Sequence, residues 1–329
     1  MKRNIALVVG GYSGEYVVSM QSAVTIEKHL NREHYVPYKI SITRNGWFYT
    51  GVSGEQISVD KNDFSLTVNG EKIYFDAAFI GIHGTPGEDG KLQGYFDMLP
   101  IPYISCGAIT SALTFNKSYC NKIVAALNVV NVAKSVHIFR DQPFNDGDIM
   151  QSLHFPVFVK PAEGGSSIGV SKVNKPSEEL GAAIEKAFKE DSQALIEEYV
   201  KGRELTCGLF RKGEQIITLP ITEIRSSKEF FDFEAKYTPG VSREITPAEI
   251  TDRTASLIQE TAKKLYGALN CRGIVRMDFI LEEQTNQLFF LEANTMPGQS
   301  ENSIVPQQVK AAGMSLTEFY GILIEECLK

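Results

Sequence analysis

Gly273-Ile-Val-Arg-Met-Asp-Phe-Ile-Leu281 and Leu288-Phe-Phe-Leu-Glu-Ala-Asn-Thr-Met-Pro-Gly298 are the two stretches that decide the fold of this chain. Both alternate in the β manner, with successive side chains directed to opposite faces. The polar residues 282–287 between them form a short connection that can turn the chain back on itself. We therefore predict an antiparallel hairpin centred near residue 285.

Four polar side chains fall on one face of this predicted hairpin. Asp278 would lie opposite Glu292, and Arg276 opposite Asn294. Two carboxylates that face each other across strands repel and destabilise the sheet unless a cation lies between them. Carboxylate and amide oxygens are hard ligands of the kind that Mg²⁺ takes alongside substrate phosphates. The pattern predicts a metal site at Asp278, Glu292 and Asn294, and the alternative is a solvated outer face with a charge pair to Arg276.

Length and composition describe an ordinary globular protein. The chain has 329 residues, of which 43% are hydrophobic and 22% are charged, and it is long enough for two or three domains. A net charge of −7 without a basic run argues against nucleic acid or an anionic membrane as partner. Five scattered cysteines without CxxC spacing indicate reduced thiols, and neither a signal peptide nor a membrane-spanning stretch is recognisable. We expect a cytoplasmic protein.

An α/β unit is expected over residues 1–115. The strand Ile5–Val9 ends in Gly10-Gly11, a helix runs from Ser19 onward, and a second buried strand, Ala77–Ile82, ends in His83-Gly84. Two strands that each end in a glycine loop indicate a parallel sheet that binds ligands at its carboxyl edge. Taken alone, Gly10-Gly11 is better explained by a tight turn.

Two further units are expected over residues 116–205 and 206–329. The first contains predicted strands at Phe155–Lys160, Val170–Val173 and Ala194–Val200, with a helix after Ser177. The second contains the hairpin and a lid-like loop at Ser226–Ile245. Its two helices are predicted from sequences typical of capping boxes, Thr246-Pro-Ala-Glu249 and Ser315-Leu-Thr-Glu318.

A glycine-rich turn, Glu163-Gly-Gly-Ser-Ser-Ile-Gly169, joins two of these strands. Such a turn can direct backbone N–H groups and two hydroxyls at phosphate oxygens. It is not a Walker loop, because it lacks the Gly-Lys-Ser/Thr sequence and does not open a helix. A flexible hairpin is the alternative. Lys160 favours phosphate binding, because a lysine among apolar neighbours requires an anionic partner.

These features, in this order along the chain, resemble the ATP-grasp superfamily. The match to its D-alanine–D-alanine ligase family covers essentially the whole chain. It is carried by four strings: Gly10-Gly-Tyr-Ser-Gly-Glu-Tyr-Val-Val-Ser19, His83-Gly-Thr-Pro-Gly-Glu-Asp-Gly-Lys-Leu-Gln-Gly94, Phe231-Asp-Phe-Glu-Ala-Lys-Tyr237 and Glu292-Ala-Asn-Thr-Met-Pro-Gly298. The resemblance implies an α/β protein, α+β in parts, with a three-domain ATP-grasp fold. Residues 1–115 would form its parallel-sheet substrate domain, and nucleotide would lie between the central and C-terminal domains.

The resemblance also implies an ATP site and a metal site. The ATP phosphates would be bound by Lys117, Lys160 and Lys236. The adenine would be bound by Glu197 and by the backbone of Glu198 and Val200, and the ribose by Glu204. Two Mg²⁺ ions, or Mn²⁺, would be bound by Asp278, Glu292 and Asn294.

In this family ATP phosphorylates one D-alanine, and the amine of a second D-alanine displaces phosphate from the acyl phosphate. The ammonium group of the first D-alanine would be held by Glu15, Ser166 and Tyr237. The developing oxyanion would be stabilised by Arg276 and the backbone N–H of Gly298. Two residues would complete the substrate sites, His83 near the first D-alanine and Ser303 at the carboxylate of the second.

Other interpretations stay open on the sequence. His83 is also consistent with a strand cap, Glu204 with a surface charge and Tyr237 with lid packing. A ligase that joins D-alanine to D-lactate is the nearest alternative, although Lys236-Tyr237 favours the dipeptide. A nucleotide-binding regulatory module without turnover is the alternative from another class, and the intact metal ligands disfavour it. The resemblance suggests a homodimer formed through the N-terminal domain.

Overall fold

The computed structural model describes residues 2–51, 53–177, 179–226 and 242–329. The β-strands of these segments are β1 (Arg3–Gly10), β2 (Tyr35–Thr43), β3 (Gly46–Thr50), β4 (Gln56–Ser58), β5 (Leu66–Val68), β6 (Glu71–Ile73), β7 (Ala77–Ile80), β8 (Tyr103–Ile104), β9 (Asn131–Val132), β10 (Ser135–Phe139), β11 (Val157–Pro161), β12 (Ser171–Val173), β13 (Gln193–Glu198), β14 (Gly202–Lys212), β15 (Gln215–Thr218), β16 (Thr222–Ser226), β17 (Ser242–Ile245), β18 (Val275–Glu282) and β19 (Leu288–Asn294). The α-helices are α1 (Tyr16–His29), α2 (Lys91–Met98), α3 (Ala108–Phe115), α4 (Lys117–Leu127), α5 (Asp146–Ser152), α6 (Glu179–Glu190), α7 (Asp252–Ala268), α8 (Ile304–Ala311) and α9 (Leu316–Cys327).

The N-terminal sheet has the strand order β4-β3-β2-β1-β7-β8. Strand β1 pairs in parallel with β2 and β7, and β7 with β8, which confirms the predicted parallel arrangement for these strands. Strands β3 and β4 add to β2 in the antiparallel direction, so the sheet as a whole is mixed. Helix α1 begins at Tyr16, three residues before the predicted start at Ser19. Ser19 therefore lies within the helix and does not cap it. Its hydroxyl accepts a hydrogen bond from the Gly10 N–H and donates one to the Gly81 carbonyl. The Ser19 side chain thus links Gly10 at the end of β1 to Gly81, the residue that follows β7.

The central sheet is antiparallel in the order β10-β13-β11-β12. Strands β11 and β12 pair directly, so the glycine-rich turn joins two antiparallel neighbours as predicted. Helix α6 begins at Glu179, near the expected position, and the Ser177 hydroxyl accepts a 3.3 Å hydrogen bond from the Glu179 N–H. The helix packs on β11, β12 and β13 and covers one face of the sheet.

The C-terminal sheet has the order β17-β16-β14-β18-β19-β9, and β15 pairs with β14. The predicted hairpin is confirmed with its register: Asp278 pairs with Glu292, and Arg276 with Asn294. Beyond this point the register shifts, and Phe279 pairs with Phe290. This β-bulge was not predicted. It inserts one residue, Leu291, and so brings the two carboxylates to the same face.

The first capping-box prediction is wrong. Helix α7 begins at Asp252, and its N-cap is Thr251, whose hydroxyl accepts from the Thr254 N–H. The preceding residues pair with the sheet connection instead, because the Ala248 N–H donates to the Ile221 carbonyl. The second prediction is confirmed, since Ser315 caps α9 by accepting from the Glu318 N–H.

Helix α9, near the C-terminus, packs on the N-terminal sheet. Phe319 and Tyr320 belong to one buried core together with Ile5 and Leu7 of β1. At the edge of this contact, both Glu325 carboxylate oxygens accept from Arg3 at 3.0 Å. The two ends of the chain therefore share one core. Across the residues that the structure describes, no helix combines the length and apolar character needed to span a membrane.

Candidate active site

One cavity of about 1060 Å³ lies where the three large sheets meet. Its walls come from segments far apart in sequence. They are the start of α1 with Glu15, the loop after β7 with His83, the glycine-rich turn, the hairpin β18–β19, and the start of α8 with Ser303. The carboxyl edge of the parallel sheet therefore faces the antiparallel hairpin, as the glycine-ended strands predicted.

The Asp278 carboxylate is neutralised within the protein. It accepts hydrogen bonds from Arg276 Nε at 2.8 Å and Nη2 at 2.7 Å, and from the Thr206 hydroxyl. Burial opposes the charge on Arg276, but the adjacent Asp278 carboxylate outweighs it and raises the pKa of Arg276. The charge pair to Arg276 therefore exists as the alternative interpretation held, but on a cavity wall and not on a solvated outer face.

The predicted repulsion between Asp278 and Glu292 is relieved by side chains. The Asn294 amide donates to Asp278 Oδ2 at 3.0 Å and to Glu292 Oε1 at 3.4 Å. Lys117 Nζ lies 3.7 Å from Glu292 Oε2 and donates to the Gly164 carbonyl at 2.6 Å. The three candidate metal ligands are thus brought together, while cationic side chains balance their charge. No cluster of three His, Cys, Asp or Glu side chains suited to a metal occurs among the described residues.

Lys160 finds its anionic partner inside the chain. Its ammonium group donates to Glu197 Oε2 at 2.7 Å, and Asn121 Nδ2 donates to Glu197 Oε1 at 2.9 Å. Lys160 is 8% exposed and Glu197 is 5% exposed, so the pair is buried at the base of the cavity. Lys160 does have the anionic partner expected from its apolar neighbours, and this partner is Glu197, which no sequence pattern links to Lys160.

The end of β13 carries the residues expected at the adenine. The Glu198 N–H donates to the Lys134 carbonyl, and its carboxylate accepts from the His154 N–H at 2.8 Å and contacts His154 Nδ1 at 2.9 Å. Val200 follows at the cavity wall. Glu204 lies further along on β14 and also lines the cavity, which is not the outer surface that the alternative required.

The glycine-rich turn contacts the start of α1. Ser166 has a φ of +55°, and its hydroxyl donates to Glu15 Oε1 at 2.7 Å. A Cβ on Gly165 would lie 2.8 Å from the same carboxylate oxygen, so a larger residue here would push the Glu15 carboxylate out of its present position. The predicted association of Glu15 with Ser166 is therefore present across 151 residues of sequence.

His83 lies behind Glu15 and is buried. Its Nε2 is 3.2 Å from the Ser22 hydroxyl, which also accepts from the Gln299 N–H. Burial lowers the pKa of His83, and the nearby Glu15 carboxylate opposes this shift, so the neutral imidazole is favoured. One residue that we did not predict, Glu88, accepts from the Gly84 N–H at 2.6 Å. Burial and then Glu15 raise the pKa of Glu88 to about 8.

The start of α8 closes the opposite side of the cavity. Ser303 is the N-cap residue, and its hydroxyl lies 2.7 Å from that of Ser300. A Cβ on Gly298 would lie 2.8 Å from the Ser303 hydroxyl, so this glycine allows the turn to approach the helix. Ser300 and a carboxylate on β17, Glu244, also line the cavity and were missed, because neither belongs to a recognisable motif.

Two predicted site residues, Lys236 and Tyr237, lie outside the described residues, as does most of the predicted lid. The other candidate residues all line the same cavity.

An antiparallel sheet with a glycine-rich turn faces a second antiparallel sheet whose hairpin carries carboxylates. Together with the N-terminal parallel sheet, this architecture defines an ATP-grasp fold.

Two family models match the chain. The model described as "D-ala D-ala ligase N-terminus" matches residues 4–106, and "D-ala D-ala ligase C-terminus" matches residues 126–325. The chain is 44% identical to a protein named D-alanine--D-alanine ligase from Azobacteroides pseudotrichonymphae, over 98% of this chain and 99% of that protein. It is 43% identical to one of the same name from Parabacteroides distasonis, over 100% and 98%. The chain belongs to the D-alanine–D-alanine ligase family.

Solved structures agree with this membership. The VanG D-Ala:D-Ser ligase from Enterococcus faecalis superposes with a TM-score of 0.88 at 33% identity, over 99% of this chain and 100% of that one. D-alanyl-alanine synthetase A from Vibrio cholerae gives 0.89 at 29% identity, over 99% and 98%. A D-alanine--D-alanine ligase from Bacillus anthracis complexed with ATP gives 0.79 at 26% identity, over 99% and 97%.

Proposed function

We propose that this protein joins two D-alanine molecules to D-alanyl-D-alanine, with ATP consumed and ADP and phosphate released, to supply a precursor of peptidoglycan. The observation that carries the proposal is the single cavity in which Glu15 and Ser166 face Arg276 and the carboxylate hairpin. On one side, the Glu15 carboxylate can accept hydrogen bonds from an ammonium group. On the other side, Arg276 and the hairpin carboxylates provide the charges that phosphoryl transfer requires.

ATP is the proposed phosphoryl donor. Lys117, held between the Gly164 carbonyl and Glu292, would bind its phosphates together with Lys160 and, from the lid, Lys236. Glu197 would accept from the adenine amine, with the backbone of Glu198 and Val200 beside it. Since the Glu198 N–H donates to Lys134, its carbonyl is the backbone group left to contact adenine. Glu204 would bind the ribose.

The chemistry requires activation of a carboxylate, because a carboxylate oxygen is a poor leaving group and phosphate is a good one. Transfer of the γ-phosphoryl group gives an acyl phosphate. The ammonium group of the second D-alanine loses a proton to solvent, and the resulting neutral amine attacks the carbonyl carbon. A C–N bond forms, the C–O bond to phosphate breaks with its electron pair, and the nitrogen releases its second proton to the departing phosphate. Arg276 and the Gly298 N–H would stabilise the oxyanion that develops between these steps.

The metal assignment follows from the donor set. The Asn294 amide nitrogen lies 3.0 Å from Asp278 Oδ2 and 3.4 Å from Glu292 Oε1, so the three side chains lie around one point. Hard oxygen ligands of this kind fit Mg²⁺ or Mn²⁺. Two such ions would spread the negative charge of the transferring phosphoryl group. The present hydrogen bonds of Asn294 use its amide nitrogen, so metal binding would require the amide to present its oxygen.

The two amino acids would lie next to each other and approach the reacting centre from opposite sides of the cavity. Glu15, fixed by Ser166 and joined by Tyr237 of the lid, would hold the ammonium group of the first D-alanine, with neutral His83 nearby. Ser303 would donate to the carboxylate of the second, at the positive N-terminal end of α8.

We also propose the organisation around this site. The domain boundaries would lie near residues 115 and 205, with the N-terminal domain binding substrate. The exposed Val17 and Val24 on one face of α1 support a homodimer through this domain. Four buried free cysteines, Cys106, Cys120, Cys207 and Cys271, support a reducing, cytoplasmic location.

The decisive experiment measures phosphate release from ATP with D-alanine alone and with D-lactate or D-serine added, followed by mass analysis of the products. We expect D-alanine to release phosphate and give the dipeptide. Depsipeptide as the main product would favour the D-lactate alternative, which the names of the relatives do not support. Mixed D-alanyl-D-serine would place the chain nearer the VanG ligase, and nucleotide binding without turnover would indicate a regulatory module.

A further inference from the structure

The cavity contains a carboxylate that the proposed function leaves unused, that of Glu244 on the edge strand β17. Glu244 pairs with Ile224 of β16, Ile224 pairs with Glu204 of β14, and Glu204 pairs with Ile280 of β18. Residues directly opposite each other in antiparallel strands share a face. Because all four residues line the cavity, the Glu244 side chain faces inward beside the site.

Helix α8 fixes this carboxylate. Gln307 Nε2 donates to Glu244 Oε2 at 3.0 Å, and the Gln307 N–H donates to the Ser303 carbonyl at 3.1 Å. Burial raises the pKa of Glu244, and the charge of Arg276 opposes this shift. The same helix therefore presents the Ser303 hydroxyl to the cavity and, one turn later, holds a partly buried carboxylate.

We propose that Glu244 binds the ammonium group of the second amino acid while Ser303 binds its carboxylate. This inference rests on the proposed function and adds to it the residue that recognises the nucleophile. A zwitterionic α-amino acid carries opposite charges on one carbon and requires a donor and an acceptor a short distance apart. Ser303 and Gln307, which holds Glu244, are four residues apart at the start of the same helix, so the donor and the acceptor lie about one helical turn apart along it.

The first ammonium group does not compete for this position. Glu15 lies against the glycine-rich turn, where Ser166 donates to it, and belongs to the other end of the cavity. Glu244 lies on the β17 and α8 side, with Arg276 as its charged neighbour on β18. Glu15 therefore binds the ammonium group of the first amino acid, and Glu244 binds that of the second.

A carboxylate at this position selects the second substrate by its charge at the binding step, before the ammonium group loses the proton that frees its lone pair for attack. It makes a charge-assisted hydrogen bond to an ammonium group, which is roughly twice as strong as a bond to a neutral hydroxyl. A 2-hydroxy acid such as D-lactate gains less from Glu244, so this residue contributes to the preference for an amine independently of the lid.

The test compares Glu244→Gln with Glu249→Gln. The first keeps the size of the side chain and an oxygen that can accept from Gln307, and removes only the charge. The second removes a charge from a side chain that is 71% exposed and does not line the cavity. Phosphate release is followed against D-alanine and against ATP, and products are analysed with D-alanine and D-lactate present together.

We expect Glu244→Gln to lower turnover at limiting D-alanine about 10- to 100-fold, the loss of one charge-assisted hydrogen bond. Turnover should recover at high D-alanine, the KM for ATP should stay unchanged, and the product ratio should shift toward D-alanyl-D-lactate. Glu249→Gln should behave as the wild type.

Three results would overturn the inference: equal effects of the two substitutions, an unchanged product ratio, or a loss of turnover that high D-alanine does not restore. An unchanged KM for ATP reports that the variant is folded. If the wild-type protein itself makes no D-alanyl-D-alanine, the proposed function fails, and that outcome is distinct from a failure of the Glu244 assignment.

Discussion

The substitution Arg276→Lys tests the catalytic part of the site most directly, because it keeps the positive charge and removes the planar set of guanidinium donors. Arg276 uses Nε and Nη2 to hold Asp278, which leaves other donors of the planar guanidinium for a second acceptor. A lysine has one nitrogen, and when this nitrogen pairs with Asp278 it cannot also present the fixed fork of donors to an oxyanion.

The expected decrease in kcat follows from the loss of one hydrogen-bond donor to the oxyanion. Removal of one donor to a developing oxyanion costs about 3–4 kcal/mol in the transition state, or roughly 10²- to 10³-fold in kcat. The folded state loses much less, because Asp278 keeps its hydrogen bonds from Thr206 and Asn294 and an opposite charge nearby. We expect a cost of about 1 kcal/mol in the free energy of unfolding, the value of one hydrogen bond.

The assay is steady-state phosphate release with ATP and D-alanine, together with thermal unfolding of both proteins. Arg203→Lys is a matched control, since Arg203 also holds a carboxylate with two nitrogens, Nε at 2.7 Å and Nη2 at 2.8 Å from Glu223. It should keep kcat. If Arg276→Lys raised only the KM for ATP, Arg276 would be a ground-state phosphate ligand, and the oxyanion role would be refuted.

Three further outcomes are expected. Glu292→Ala should abolish Mg²⁺-dependent ligation with the fold retained, and near-normal phosphate release would contradict the metal assignment. Glu88→Gln should raise the Tm relative to the wild type increasingly as pH rises from about 5 to about 8. The reason is that a carboxyl whose pKa is raised to about 8 holds its proton in the folded state, so wild-type stability falls over this range; a constant Tm difference would refute it. Tyr237→Phe should keep dipeptide synthesis and gain D-alanyl-D-lactate at mildly acidic pH, where the competing amine is more fully protonated. A product ratio independent of pH would restrict Tyr237 to packing.

The hairpin was predictable from the sequence because strand alternation and a short turn leave few registers for two stretches. The pairing of Asp278 with Glu292 was expected for a hairpin centred near residue 285. The bulge at Leu291 was not, because residues 288–291 are all apolar and nothing in this run marks the extra residue. Its effect appears only when both strands are aligned.

Most long-range partners could not be predicted from the sequence, although the association of Glu15 with Ser166 was expected from the family resemblance. The apolar neighbours of Lys160 indicated that it needs an anionic partner. They did not indicate which acidic residue this partner is, because Glu197 lies 37 residues away in the sequence. Thr246 looked like a helix cap, but backbone pairing near Ala248 with the sheet outweighs local propensity. Glu244 gave no signal, because its position depends on strand pairing and on Gln307 of a later helix.

The core that α9 shares with β1 affects the order in which the chain becomes stable during synthesis. Ile5 and Leu7 leave the ribosome more than 300 residues before Phe319 and Tyr320, the residues that bury them. Until α9 has been made, that face of the N-terminal sheet remains uncovered and exposes apolar surface to other chains. Nascent or truncated forms that end before residue 316 should therefore depend on chaperones or aggregate, even though most of the cavity has already been synthesised.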